Sequence, residues 1–170
     1  LKAHRLLREA DVIFCPEKEK GAGSFAWNIV QGLLKDSGAK IVHLVYPMHY
    51  HGKRLREMWE ENARRIAEYV EGEKTGVFIT LGDPAVYSTF MYTLPYIEAA
   101  GVPVEVVPGI TSFCASACAV KLPLVAWDED LLVAPVRRNS SQDLGNLLKE
   151  HDNIVLMKPS SNPQALLDAI

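Results

Sequence analysis

Residues 76–84 read Gly-Val-Phe-Ile-Thr-Leu-Gly-Asp-Pro. The run is nearly all apolar as far as Leu81 and then meets Gly82-Asp83-Pro84, a combination typical of a buried strand followed by a sharp turn. Short Val- and Ile-rich runs that also end at a proline or glycine recur at residues 11–16, 40–47 and 104–109. Longer amphipathic segments separate them. Alternation of this kind predicts an α/β fold with a mostly parallel sheet and helices on both faces.

Apolar residues spaced three and four apart predict the helices between these strands. The predicted helices cover residues 25–35, 52–70, 86–100 and 111–119. Ser24 is the expected cap of the first helix, and Asn62 is the only polar residue in the apolar stripe of the second. Residues 121–124, Lys-Leu-Pro-Leu, indicate a hinge. Beyond the hinge, the pattern predicts a strand, a helix, a strand and a helix over residues 130–136, 141–150, 153–158 and 162–170.

The hinge divides the sequence into a predicted N-terminal α/β domain, 1–122, and the start of a C-terminal α/β domain, 123–170. The second unit is too short to bury a core of its own. The sequence begins at Leu1 and ends at Ile170, both inside predicted elements. We therefore expect that both ends are cut and that the second domain is truncated.

Composition excludes several classes of protein. The chain has 170 residues, 48% of them hydrophobic and 23% charged, which are globular values and not those of a disordered tail. Its net charge of −3 gives no general attraction to nucleic acid or to an acidic membrane. No apolar run approaches the ~20 residues of a membrane span. Three cysteines argue against a disulfide framework, so we expect a cytoplasmic protein, with Cys114 and Cys118 buried on one helix.

Two turns carry the candidate chemistry. Gly82-Asp83-Pro84 and Pro108-Gly109 each follow a predicted strand and precede a predicted helix. Because the carboxyl ends of parallel strands meet at one edge of a sheet, both turns are expected at the ligand crevice. Gly82 lets a ligand approach the backbone, while Thr111 and Ser112 can cap a helix or bond a polar ligand. The alternative is a plain turn capped by Asp83.

These motifs carry a resemblance to a known family. Gly-Asp-Pro-x-x-Tyr-Ser-Thr-Phe at 82–90, together with Val-Pro-Gly-Ile-Thr-Ser-Phe-Cys-Ala at 107–115, resembles the tetrapyrrole methylase superfamily. Other positions are similar to its precorrin-2 / cobalt-factor II C20-methyltransferase branch: Phe14, Pro16, Gly23, Ser24, Ala26, residues 122–124 and the acids Asp128, Glu129 and Asp130. The resemblance covers essentially the whole chain.

The resemblance implies a two-domain enzyme that binds S-adenosylmethionine in the cleft between its domains, works as a homodimer and needs no metal. Its expected activity is methylation of C20 of precorrin-2 or cobalt-factor II in cobalamin biosynthesis. The cofactor contacts fall by position on Leu81, Gly82, Asp83, Val86, Thr111, Ser112 and Met157. The family's first strand and its Gly-Pro-Gly-Asp loop, whose aspartate is the proposed base in some relatives, would precede Leu1. Whether these 170 residues are active by themselves is therefore left open.

Methyl transfer needs alignment of the reactants and a base that removes the proton from the methylated carbon. Asp83 and Tyr87 are the only titratable groups in the two turns. We expect Asp83 to act as an acceptor that positions a ligand, and Tyr87 to contact the substrate or handle the proton.

A tetrapyrrole that carries many carboxylates requires a local cationic surface on this acidic protein. Lys53, Arg54 and Arg56 stand at the start of a predicted helix, where cations oppose the helix dipole. We expect them to bind substrate carboxylates. The alternative is a solvated face on which Lys53 pairs with Glu57. Less distinctive are Arg137-Arg138, a similar cationic pair, and His49-Tyr50-His51, which reads as a polar loop more readily than as a metal site.

Other functions stay open at this point. Relatives in the superfamily methylate other tetrapyrrole carbons, a modified protein histidine or ribosomal RNA. The net charge of −3 argues against an RNA acceptor, which would want a basic groove with stacking aromatic residues. A third possibility is a fragment that binds the cofactor and does not catalyse the reaction.

Overall fold

A parallel sheet forms the centre of the first half of the chain. In the computed structural model, which describes residues 1–34, 37–47, 52–136 and 141–158, three strands lie in the order β2-β1-β3. These are β1 (Val12–Glu17), β2 (Lys40–Val45) and β3 (Gly76–Phe78). Val12 is in register with Lys40 on one side and with Gly76 on the other. The predicted parallel sheet is confirmed.

Helices cover both faces of this sheet, also as predicted. On one face, Val12, Phe14, Val42 and Leu44 form a core with residues of α3 (Lys53–Tyr69) and α4 (Thr89–Ala99). On the other face, Ile13 and Cys15 pack with residues of α1 (Lys2–Glu9) and α2 (Phe25–Val30), which continues as a short 3-10 segment, Gln31–Leu33. Neighbouring residues of β1 thus enter two different cores, which is why its sequence is apolar from Val12 to Pro16.

Proline 16 does not end the first strand, contrary to the predicted 11–16 boundary. β1 continues to Glu17 and pairs with β2 along its whole length, with Pro16 opposite Leu44. Pairing with β3 stops at Phe14, whose carbonyl accepts the N–H of Ile79 at 3.0 Å. The backbone N–H position of Pro16 points towards β3, as the backbone of Phe14 does, but it lies beyond the last residue pair of β1 and β3. Its missing N–H therefore costs the sheet no hydrogen bond.

Two other predicted elements differ from the structure. Residues 104–109 form no strand within the described chain; Val104 packs on a core, and Glu105 pairs with Lys2. The fourth predicted strand is therefore wrong, because no described strand pairs with this segment. Helix α4 begins at Thr89 and not at 86, since Tyr87 has φ +52° and the Ser88 hydroxyl caps the helix by accepting the N–H of Phe90 at 3.2 Å.

The contacts divide the chain into two compact units, Leu1–Ile110 and Thr111–Ile170. This division comes earlier than the predicted boundary at 122, and the assignment of 1–122 and 123–170 as domains stays a prediction. The second unit contains α5 (Ser112–Val120), β4 (Leu131–Pro135), α6 (Ser141–Glu150) and β5 (Asn153–Met157). β4 and β5 are parallel, with Leu131 opposite Asn153.

The starts of these two strands are tied together by side chains. Asp130 Oδ1 accepts the N–H of Asp152 at 2.8 Å, and Asp152 Oδ2 accepts the N–H of Asp130 at 3.1 Å. His151 Nδ1 lies 2.5 Å from the other oxygen of Asp130, and this hydrogen bond is the main cause that lowers the pKa of the Asp130 carboxyl.

The cysteines differ in their surroundings. Burial, followed by the nearby Glu17 carboxylate, raises the pKa of the Cys15 thiol to about 12, so it is an inert core residue. Cys114 and Cys118 are exposed, contrary to expectation, because α5 has no buried residue. Within the described residues, no helix is both long and apolar enough to cross a membrane.

Candidate functional site

The Gly82-Asp83 turn is built around the Asp83 carboxylate. Gly82 adopts φ +68°, a conformation that favours glycine. Asp83 Oδ1 accepts the N–H of Ala85 at 2.8 Å, which closes the turn locally. Its Oδ2 accepts the N–H of Gly109 at 2.9 Å, a residue from the second predicted turn. The two turns therefore meet through one side chain, and Asp83 does not cap a helix.

Gly109 is the residue that permits this meeting. A Cβ built on Gly109 would lie 2.0 Å from the Gly82 carbonyl oxygen and 3.0 Å from the Gly82 carbonyl carbon. Both atoms belong to the backbone, so neither could swing away. A side chain at position 109 would force the turns apart and stretch the bond to Asp83. The juxtaposition of the two turns thus depends on a missing side chain.

The remaining predicted residues of the first turn lie at its surface. Leu81 is 54% exposed and Tyr87 is 38% exposed, while Val86 is half-buried. The positive φ of Tyr87 is uncommon for an aromatic residue and is a local strain of the kind found at ligand sites. Pro84 lies in the turn, before α4 begins at Thr89.

The second unit brings two other predicted cofactor residues together. Ser112, at the start of α5, and Met157, at the end of β5, line one hollow of about 450 Å³. Its other walls are mostly apolar and come from α5, the segment after it and β5: Phe113, Ser116, Ala117, Val120, Leu122, Pro123, Leu124, Val155 and Leu156. We call it the α5 hollow. Its small residues leave room for a flat ligand.

Thr111 occupies the cap position of α5 but does not cap it. Its hydroxyl makes no hydrogen bond to the helix, and within the described chain its buried Oγ1 has no partner. A buried hydroxyl without a partner is costly in a finished structure. A polar ligand atom would satisfy it, so Thr111 fits the role that the resemblance implies.

The predicted substrate cations are only partly brought together. Lys53 lies 3.7 Å from Glu57, which is the solvated pair expected from the alternative interpretation. Arg54 lines a second hollow, whereas Arg56 is exposed and does not line it. This hollow of about 500 Å³ also holds Lys18 and Lys20, which sequence reasoning missed. The sequence feature that could have indicated these two lysines is their position just after a predicted strand.

Other sequence features stay outside this description. His49, His51, Arg137 and Arg138 lie outside the described residues, as does the predicted helix 162–170. Within the residues that are described, no group of three His, Cys, Asp or Glu side chains could hold a metal ion. The first unit offers backbone groups at two glycine turns and cations at a hollow, and the second unit offers hydroxyl groups at the start of α5. Such groups can position ligands and bind anions.

Curated proteins of similar sequence include two with the same named activity. The chain is 38% identical over 158 residues to the probable cobalt-precorrin-2 C(20)-methyltransferase of Methanocaldococcus jannaschii. It is 34% identical over 161 residues to the cobalt-precorrin-2 C(20)-methyltransferase of Salmonella typhimurium. Each match covers 93% of this chain and 65% of the relative. The chain thus spans less than two thirds of the length of these relatives.

Solved structures share the fold at lower identity. A cobalt precorrin-4 methyltransferase matches with a TM-score of 0.72 and 24% identity, covering 99% of this chain and 66% of that one. A uroporphyrin-III C-methyl transferase from Thermus thermophilus, complexed with S-adenyl homocysteine, matches with a TM-score of 0.60 and 21% identity, covering 99% and 68%. The family Tetrapyrrole (Corrin/Porphyrin) Methylases matches residues 1–170. The chain therefore belongs to the tetrapyrrole methylase family.

Proposed function

We propose that the protein transfers a methyl group from S-adenosylmethionine to C20 of precorrin-2 or of cobalt-factor II in cobalamin biosynthesis. The observation that carries the proposal is the similarity, over 93% of the chain, to two relatives named for this reaction on cobalt-precorrin-2. Membership of the family supports the reaction type, and the glycine turns supply a suitable scaffold.

Three features of the chain fit S-adenosylmethionine. Gly82 presents backbone without a side chain, Thr111 presents a buried hydroxyl without a described partner, and Ser112 and Met157 line the α5 hollow. A fold neighbour binds the demethylated cofactor, S-adenosylhomocysteine. We assign the contacts to the predicted set, Leu81, Gly82, Asp83, Val86, Thr111, Ser112 and Met157.

When bound, the cofactor supplies a methyl group on a positively charged sulfur, which is already a good leaving group. The chain's residues then have to align the acceptor carbon with this methyl group and exclude water. One carboxylate oxygen of Asp83 accepts a hydrogen bond from the N–H of Ala85, and the other accepts one from the N–H of Gly109. We therefore assign to Asp83 the role of positioning the two turns. Tyr87 is the remaining candidate for substrate contact or for handling the proton that leaves the methylated carbon.

Mass spectrometry of the product tests the activity. The purified protein is incubated with S-adenosylmethionine and cobalt-factor II, and separately with precorrin-2. We expect a gain of one methyl group on one of these acceptors, placed at C20 by NMR. Methylation at a different carbon would transfer the proposal to another member of the family. Binding of S-adenosylhomocysteine without any methylation would support a cofactor-binding fragment.

We also propose that the protein acts in the cytoplasm as a homodimer. The three cysteines are free, which suits a reducing compartment. Phe25, Ile29 and Leu33, four residues apart, are 79%, 68% and 62% exposed, an apolar surface of a kind that a second subunit often covers. Light scattering coupled to size-exclusion chromatography measures the oligomeric state directly.

A further inference from the structure

We infer that the hollow lined by Lys18, Lys20 and Arg54 binds carboxylate side chains along one edge of the tetrapyrrole. We call it the Lys18–Arg54 hollow. The inference rests on the proposed function and adds two lysines that no sequence motif indicated. It also replaces the predicted trio of Lys53, Arg54 and Arg56, because only Arg54 of those three lines the hollow.

The hollow lies where a parallel sheet binds ligands. Lys18 directly follows Glu17, the last residue of β1, and Val45 is the last residue of β2. Its other wall is one face of α3, since Arg54, Glu57, Met58 and Glu61 are spaced by three and four residues. The carboxyl ends of parallel strands are the usual position of a ligand crevice.

The acids around the hollow are engaged by basic residues. Three acids line it, and each has a basic neighbour. Glu19 is 4.0 Å from Lys18, Glu57 is 3.7 Å from Lys53, and Glu61 is 2.7 Å from Arg64. Lys53 and Arg64 do not line the hollow, so they neutralise two of its acids from outside. Lys20 therefore adds positive charge to the hollow, on a protein whose net charge is −3.

The start of α3 adds to this potential. Its cap residue is Gly52, which has no side chain to accept the first N–H groups, and no acid stands in the first turn. Among the described residues, no side chain therefore caps the positive end of the helix dipole, which lies beside Arg54. An anion that is bound by the side chains would be stabilised further here.

A buried carboxylate fixes the loop that carries the two lysines. Glu17 is 7% exposed, and both of its carboxylate oxygens lie 3.3 Å from the N–H of Gly21. Gly21 can close this loop because its φ is +83°. The backbone that carries Lys18 and Lys20 is thus fixed before a ligand arrives, which lowers the entropy cost of binding.

Apolar residues in the same hollow narrow the class of ligand. Val45, Pro47 and Met58 line it together with the cations. The volume of about 500 Å³ is that of a small-molecule site and far exceeds that of a single ion. Alkyl chains that end in carboxylates fit both the apolar and the cationic residues of the hollow. Their methylene groups can contact the apolar residues, and their carboxylates can bind lysine and arginine.

Two binding titrations on the same protein test the inference. The affinity for cobalt-factor II is measured by absorbance, and that for S-adenosylhomocysteine by calorimetry. The test variant is Lys18→Ala/Lys20→Ala. Its control is Lys74→Ala/Lys149→Ala, which removes the same charge at two exposed lysines that do not line the hollow. We expect Kd for cobalt-factor II to rise roughly tenfold in the test variant only, with unchanged affinity for S-adenosylhomocysteine.

The outcomes separate this inference from the proposed function. Unchanged affinity of Lys18→Ala/Lys20→Ala for cobalt-factor II would refute the inference and leave the activity standing. An equal loss in the control variant would also refute it, since net charge alone would then be the cause. Failure of the unmodified protein to bind cobalt-factor II, with S-adenosylhomocysteine still bound, would reject both. If the double variant has a lowered melting temperature, the affinity of Lys20→Ala alone for cobalt-factor II tests the inference by the same criteria.

Discussion

At the scale of single residues, Gly109 is the position where one added carbon should do most harm. We expect Gly109→Ala to lower the free energy of unfolding by about 1–3 kcal/mol, because its Cβ would overlap the Gly82 carbonyl. The affinity for S-adenosylhomocysteine should fall with it if the turns hold the cofactor. Urea unfolding and calorimetry measure the two effects.

Gly38→Ala is the matched control for this substitution. A Cβ at Gly38 would meet no atom within 4 Å, and its φ is not positive. We expect it to be neutral or to stabilise the protein by up to about 1 kcal/mol. If Gly109→Ala behaved in the same way, the described contact between the turns would be wrong.

Tyr46 gives the structure a dependence on alkaline pH. Burial raises its pKa to about 12, against hydrogen bonds from Thr93 and Asn62 and the charge of Arg65, which lower it. The folded state therefore retains the proton longer than the unfolded chain. The resulting stability is fully present below about pH 10 and disappears as the pH rises towards 12, a loss of about 2–3 kcal/mol.

Tyr46→Phe isolates this effect from that of Cys15, whose thiol also titrates late. We expect unfolding in urea, repeated from pH 8 to 12, to show a smaller loss of stability in Tyr46→Phe than in the unmodified protein. Equal losses in the two proteins would mean that Tyr46 titrates normally. Thr93 keeps a partner in the variant, because its hydroxyl also lies 3.3 Å from the carbonyl of Thr89.

At the scale of elements, Asn62 joins α3 to the end of β2. This residue interrupts the apolar stripe of the helix, and the structure supplies the reason. Its side chain is 4% exposed and donates from Nδ2 to the Val45 carbonyl at 2.9 Å. Asn62→Leu should cost about 1–3 kcal/mol in chemical unfolding, since it leaves a carbonyl without its partner.

Asn146→Leu, on the exposed surface of α6, is the comparison for this change. We expect an effect of less than about 0.5 kcal/mol there. Because Val45 also lines the Lys18–Arg54 hollow, Asn62→Leu should in addition weaken binding of cobalt-factor II. Equal stability of the two variants would show that the Asn62 bond contributes nothing.

The same scale shows what sequence patterns could predict. Apolar runs were sufficient to predict β1, β2 and β3, and they are clearest in β1, whose residues are buried on both faces of the sheet. Segment 104–109 has the same composition yet forms no strand in the described chain, because pairing depends on a neighbour that local sequence does not encode. For the same reason, the bond from Gly109 to Asp83, 26 residues away, could not be predicted. The two glycine turns could be predicted, because the residues that favour a turn are adjacent in the sequence.

At the scale of the whole molecule, charge discriminates between the acceptors that this family methylates. The chain has 18 basic and 21 acidic residues, and three of the cations, Lys18, Lys20 and Arg54, line the Lys18–Arg54 hollow. Non-specific binding of RNA requires several phosphate contacts at once, and salt weakens it steeply. A compact polycarboxylate needs only one local cluster. The charge distribution therefore favours a tetrapyrrole over an RNA acceptor.

This argument predicts where a labelled methyl group will go. The protein is incubated with labelled S-adenosylmethionine, cobalt-factor II and total ribosomal RNA at about 0.15 M salt. We expect label in the tetrapyrrole and none in the RNA, and no retardation of the RNA in a gel at the same salt. Lys18→Ala/Lys20→Ala should reduce labelling of the tetrapyrrole at low acceptor concentration and leave the RNA lane unchanged. Label in the RNA would show that net charge does not select the acceptor, because a chain with a net charge of −3 would then be methylating a polyanion.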